Sequence, residues 1–300
     1  MKTGDGLGVY KRITDHFIAA LDKGVEPWRM PWSSLAPKSM MTGRTYSGVN
    51  YMMIAMFGGQ YSSQWWISAA KAKELGGYIP HEASGKGIPA IRVFTITKDN
   101  EVGESVPVGT RAQYTTIWNV EEAKGIDPKH IPETPRLDFN TDDCAEAILR
   151  DMPQPPLYYE RSQLGAFYEP ANDKVVLPLK ESFESSAAHY ETRFHETIHA
   201  TGHPKRLGRE QIVNMVNAPF TSTSSLEKYG KEELIAGIGA AMLLAHCGIT
   251  HQSTVDNNTA YVAGWASQLR ADPKLIVSAA SAAQKAANYI LGVGNENEVE

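Results

Sequence analysis

The chain has 300 residues, 42% of them hydrophobic and 21% charged, with a formal net charge of −5, which is enough to bury one large core or two moderate ones. Residues 1–120 carry +4 and residues 121–300 carry −9, and five of the six tryptophans fall in the first part, so we expect two domains. Cys144 and Cys247 are far apart and form no C-x-x-C pair, which excludes a disulfide framework and a thiolate zinc site. No apolar leader and no run of about 18 apolar residues occurs, so we expect a cytoplasmic protein with no membrane partner.

In chain order, the first segment alternates aromatic, basic and turn-forming residues at 27–32 and again at 42–51. Trp65-Trp66, followed by Lys71 and Lys73 on a predicted short helix from Ser68 to Gly76, repeats the combination. Single-stranded nucleic acid is bound by such parts, because aromatic faces stack unpaired bases and Arg or Lys neutralises phosphates. The candidate contacts to single-stranded DNA are Trp28, Arg29, Trp32, Arg44, Tyr46, Asn50, Trp65, Trp66, Lys71 and Lys73. The same tryptophans also suit core packing, and +4 over this length is a modest field.

Prolines at 128, 132 and 135 resist helix and sheet, so the boundary is placed at 126–138, between a domain of residues 1–125 and one of residues 139–300. Thr141-Asp142-Asp143 opens a short helix through Leu149, with acids in its first turn as the helix dipole prefers. Residues 166–168 and 174–177 read as a hairpin. A helix capped by Ser185 or Ser186 then runs along the apolar stripe Tyr190, Phe194 and Ile198 to Gly202, which is expected to end it in a left-handed conformation. Thr221–Ser225 reads as a mobile loop, and residues 258–270 and 273–291 as two closing helices.

The stripe helix carries His195-Glu196-Thr197-Ile198-His199. Residues four apart share a helix face, so His195 and His199 can offer two imidazole nitrogens to one tetrahedral metal, with Glu196 beside them as general base. The combination suits hydrolysis at a polarised carbonyl. A metzincin would place a third histidine where this chain has Lys205. A carboxylate from the predicted helix at 231–246 is the remaining candidate. Glu233 shares a face with the small residues Ala236, Gly237 and Ala240, which allow close helix approach, and Glu232 lies about 100° round and is expected to be solvated. An exposed acidic first turn favoured by the helix dipole is the alternative reading of both.

Ordered matches run along most of the chain: Pro27-Trp28, Pro31-Trp32, Thr42-Gly43-Arg44, residues 46–50, 72–77 and 118–122, then 167–168, 173–175, 195–199, 201–203, 232–236 and 260–265. In these motifs the chain resembles the ArdC-type antirestriction proteins, related to the N-terminal part of TraC-type conjugative primases. The resemblance implies an α+β protein of two domains. The first is a mixed α/β domain that binds single-stranded DNA. The second is a mainly helical, zincin-like metallopeptidase domain with a small sheet or hairpin. It also implies zinc or another divalent metal on His195, His199 and Glu233, Glu196 as the catalytic carboxylate, an unidentified protein substrate, and a role on mobile elements when DNA enters a new cell. The family pattern carries a further Glu where this chain has Gly237.

Overall fold

A computed structural model of the protein describes residues 6–22, 37–58, 61–99, 105–133, 141–161, 165–217, 225–249 and 259–293. The expected loop at 221–224 lies outside these residues, and Ser225 already begins a helix.

The first part opens with helix α1 (Gly6–Leu21) and the two-residue strand β1 (Lys38–Ser39), followed by α2 (Gly48–Gly58). Strand β2 (Trp65–Ser68), the short helix α3 (Ala69–Glu74) and the long strands β3 (Ile88–Asp99) and β4 (Ser105–Asn119) complete it. The sheet order is β1-β2-β4-β3, with β1 parallel to β2 and the other pairs antiparallel. The expected helix over 68–76 is present, capped by the Ser68 hydroxyl on Lys71 N and followed by Gly76 at φ +81°.

The second part begins with α4 (Thr141–Asp151) and a three-stranded sheet of β5 (Leu157–Arg161), β6 (Phe167–Glu169) and β7 (Lys174–Pro178) in the order β5-β7-β6. The predicted hairpin is β6–β7, and the sequence reading missed β5, which pairs in parallel with β7. Helices α5 (Ser186–Thr201), α6 (Glu210–Asn217), α7 (Ser225–His246), α8 (Thr259–Ala271) and α9 (Leu275–Ile290) follow. Helices α5, α7 and α9 pack on one another, and α5 lies on the inner face of the small sheet. Among the described residues no helix is long and apolar enough to cross a membrane.

The two parts do not bury separate cores. One cluster of buried side chains runs from Ile13, Phe17, Met52 and Met53 through Ile198, Leu234 and Ile238 to Ala279 and Ala283. Helix α1 packs on α8, and α2 on α9. Polar contacts follow the same seam, with Thr14 donating to Pro273 O at 2.7 Å and Gly48 N donating to the Gln284 side chain at 3.1 Å.

Candidate metal centre

The Ser185 hydroxyl accepts from Ala188 N at 3.1 Å and so fixes the start of α5. Tyr190, Phe194 and Ile198 are wholly buried, and that stripe sets the rotation of α5 and turns His195 and His199 toward α7. The approach of α7 is close because Gly239 lies against Ile198, where an added Cβ would come within 2.6 Å of Ile198 Cδ1.

Three side chains converge at this seam. His195 Nε2 and His199 Nε2 are 3.2 Å apart, and each lies 3.3 Å from a Glu233 carboxylate oxygen. The edge of a tetrahedron with metal–ligand bonds of about 2.0–2.1 Å is about 3.3–3.4 Å, so the donor spacing fits a tetrahedral cation site with a fourth position left over. Among the described residues this is the group of His, Cys, Asp and Glu side chains close enough to hold a metal. Glu196, the next residue of α5, is buried, and its charge acts on His199.

Glu232 corrects the sequence reading. It is not solvated but wholly buried, with Oε1 3.4 Å from His199 Nδ1. Arg209 Nε donates to both of its oxygens, at 3.1 and 3.0 Å. The same guanidinium donates to Thr201 Oγ1 at 2.6 Å and to Ile198 O at 2.7 Å, where a cation also complements the carbonyl end of the α5 dipole. The arrangement selects the His199 tautomer. In the neutral ring that a metal requires, the proton belongs on Nδ1 facing Glu232, which frees the Nε2 lone pair toward Glu233 and His195.

Gly202 is a second correction. It is right-handed at φ −73°, and the left-handed residue of this turn is Gly208 at φ +60°. Gly202 matters for space, because an added Cβ would meet Ile212 Cγ1 at 2.6 Å and Arg209 Nη2 at 3.1 Å. A side chain there would have to displace Ile212 and would crowd the Arg209 guanidinium.

The electrostatics of the cluster favour a cation. Burial alone would lower the His199 pKa, but the Glu232 and Glu233 carboxylates override it and lift the imidazole to about 10. Burial likewise works to raise Glu233, and the two histidines override it and hold the carboxyl well below its ordinary range. Glu232 is also held below the ordinary range, its burial outweighed by His199 and Arg209.

The candidate DNA contacts are distributed differently. Trp28, Arg29 and Trp32 lie outside the described residues. Arg44, Tyr46 and Asn50 line one cleft of about 210 Å³ on the first sheet. The Asn50 side chain there is committed to the backbone, donating to Ile91 O at 2.6 Å and accepting from Ile91 N at 2.7 Å. Trp65 and Trp66 are corrected from base platforms to core: they sit on the inner strand β2 at 8% and 2% exposure. Lys71 pairs with Glu74 at 2.5 Å, and Lys73 is exposed on α3.

A helix bearing H-E-x-x-H, met by a carboxylate from a second helix and backed by a small sheet, defines a zincin-like metallopeptidase domain. Residues 151–282 match the family described as zincin-like metallopeptidase, and residues 8–124 match the N-terminal domain of anti-restriction factor ArdC. The chain belongs to the ArdC antirestriction family. The metal-free crystal structure of the antirestriction protein ArdC from plasmid R388 is 30% identical, with a TM-score of 0.71 over 94% of this chain and 96% of that one. The Mn(II)-bound structure of the same protein is 29% identical, with a TM-score of 0.71 over 94% and 97%.

Two DNA primases TraC of Escherichia coli are 29% and 28% identical over 94% and 93% of this chain. The chain spans 27% and 19% of their lengths. An uncharacterized protein of Sinorhizobium fredii, y4eC, is 26% identical over 94% of this chain and 91% of its own length.

Proposed function

We propose that this chain is an antirestriction protein that binds single-stranded DNA through residues 1–125 and hydrolyses peptide bonds at a zinc-type centre in residues 139–300. The convergence of His195, His199 and Glu233 at 3.2–3.3 Å carries the reading. The Mn(II)-bound relative supports a divalent cation of some kind, and the two-imidazole, one-carboxylate donor set favours zinc. The boundary at 126–138 lies between the two matched segments.

A divalent cation held by these three side chains supplies Lewis acidity toward a peptide carbonyl and toward water. Glu196 takes the proton of the attacking water and returns it to the departing amine, a task for a carboxylate beside the ligands that is not itself one of them. Glu232, held by Arg209, keeps the His199 ring oriented. The relation to the TraC primases and the basic, aromatic residues of the first domain support single-stranded DNA as its partner.

The test is a protein-cleavage and antirestriction assay on the full chain, with DNA binding measured in parallel. Glu196→Gln should abolish cleavage and leave single-strand binding intact. Cleavage persisting in that variant would reject the peptidase assignment. Equal affinity for duplex, or binding insensitive to salt, would reject the single-strand assignment.

A further inference from the structure

The cleft on the first sheet has a chemistry that the metal centre does not use. Its lining includes Arg44 and Arg92, both exposed, and no aspartate or glutamate, in a chain whose net charge is −5. Its apolar lining comprises Met41, Ala90 and Ile91 beside the half-buried Tyr46, and Ala90 shares its face of the sheet with Arg92 and Thr115. Ser39, Thr42, Thr45, Ser47 and Thr115 also line it, with the Ser39 and Thr42 hydroxyls accepting from Met41 N at 3.2 Å and Arg44 N at 3.3 Å.

The walls are held in place before any ligand arrives. Ser39 N donates to Arg44 O at 2.9 Å and Gly43 N to Ser39 O at 2.8 Å, closing the loop on which Arg44 stands. Gly43 takes φ +72°, a left-handed conformation that glycine enters without steric cost. Met40 N donates to Trp66 O at 2.8 Å, so the buried tryptophan strand anchors the loop. Asn50 ties α2 to Ile91 on the outer strand β3, next to Arg92, which lines the cleft together with Arg44. Ligand sites gain from walls of this kind, because little ordering remains to be done on binding.

We propose that this cleft is a subsite for one nucleotide unit of single-stranded DNA, with its phosphate between Arg44 and Arg92 and its base on the Met41, Tyr46 and Ala90 surface. The proposal rests on the single-strand reading above and gives it a location and a new contact, Arg92. Guanidinium forks match phosphate oxygens, and an apolar lining beside them suits a planar base. At about 210 Å³ the cleft falls below the roughly 300–1,000 Å³ of pockets for drug-sized ligands, and it suits a single ring system. A duplex keeps its base faces stacked and cannot use the apolar lining. An acidic peptide could meet the arginines but would leave that lining unused.

The test uses the full chain and a short fluorescent oligothymidylate followed by anisotropy. Arg44→Ala and Arg92→Ala should each weaken binding by roughly ten- to a hundredfold, the range for charge-assisted hydrogen bonds. Thr115→Glu, which puts a carboxylate on an exposed wall of the cleft, should do the same by repulsion. An abasic oligonucleotide of equal length should bind roughly tenfold or more weaker, since it cannot stack.

Wild-type binding with all three folded variants unchanged would overturn the cleft and leave the single-strand reading standing. Failure of the wild type to bind would reject that reading and the proposal with it. Equal affinity for the abasic strand, or displacement of the oligonucleotide by polyglutamate of matched charge, would overturn the nucleotide assignment in favour of a plain anion site.

Discussion

Replacing Glu232 by glutamine separates an orienting role from a solvated one. The wholly buried carboxylate accepts from Arg209 Nε at 3.1 and 3.0 Å and faces His199 Nδ1 at 3.4 Å, so every neighbour is a donor. Glutamine offers one acceptor oxygen and turns an NH₂ toward donors. Breaking a buried ion pair by removing one partner costs about 3–5 kcal/mol. Arg209 keeps its bonds to Thr201 Oγ1 and Ile198 O, which places the loss toward the lower end, about 3 kcal/mol. With His199 no longer held, metal affinity should fall by roughly ten- to a hundredfold. Urea unfolding of the chelated protein reads the first number, and titration against a chromophoric chelator reads the second. A variant with unchanged stability and unchanged metal affinity would refute the reasoning and return Glu232 to the solvated role that its place on the helical wheel suggests.

Gly239→Ala should destabilise the protein. The new Cβ would lie 2.6 Å from Cδ1 of a wholly buried Ile198, and an overpacking cost of about 1–3 kcal/mol exceeds the helix-propensity gain of about 1 kcal/mol. A raised denaturation midpoint would show that α5 and α7 have room between them. Trp66→Ala should cost about 3–5 kcal/mol as a core truncation, and a variant of full stability that lost only DNA affinity would restore Trp66 as a base platform. His189, buried and with Arg193 and Lys180 nearby, has its pKa lowered to about 4, burial being the larger cause. The unfolded chain takes up this proton near pH 6.5 and the folded chain only near 4, so this contribution is present above 6.5 and is lost as pH falls toward 4. His189→Phe should flatten that part of the stability profile, and an unaltered slope would place the acid sensitivity elsewhere.

The parts of the site that follow from helical period were legible in the sequence. His195, His199 and Glu233 converge as their spacing suggested, but the small residue that lies against α5 is Gly239, not one of the expected Ala236, Gly237 and Ala240. Glu232 was not legible, because its burial depends on Arg209, which reaches it from the segment between α5 and α6. No periodicity within α7 carries that information. Gly202 was read for its backbone angle, when what it supplies is room for Ile212 and Arg209.

In the first domain, alternation of aromatic and basic residues suggested an exposed platform. Residues Trp65-Trp66-Ile67-Ser68 are all buried, and a short apolar run of that kind is itself the sign of an inner strand. Strand β5 escaped notice because it follows a proline cluster and its parallel partner β7 lies beyond an intervening strand. The joint core of the two domains was also invisible. Nothing in the local sequence of α1 and α2 says that they pack on α8 and α9.

The most direct test of the central claim is the metal content of the purified full chain and three variants, measured by inductively coupled plasma mass spectrometry. The account predicts a single divalent ion per chain in the wild type and in Glu196→Gln, and its loss in His195→Ala and Glu233→Ala, with all four proteins folded. Retention of the ion in Glu233→Ala, or its loss in Glu196→Gln, would contradict the assignment of ligands and base.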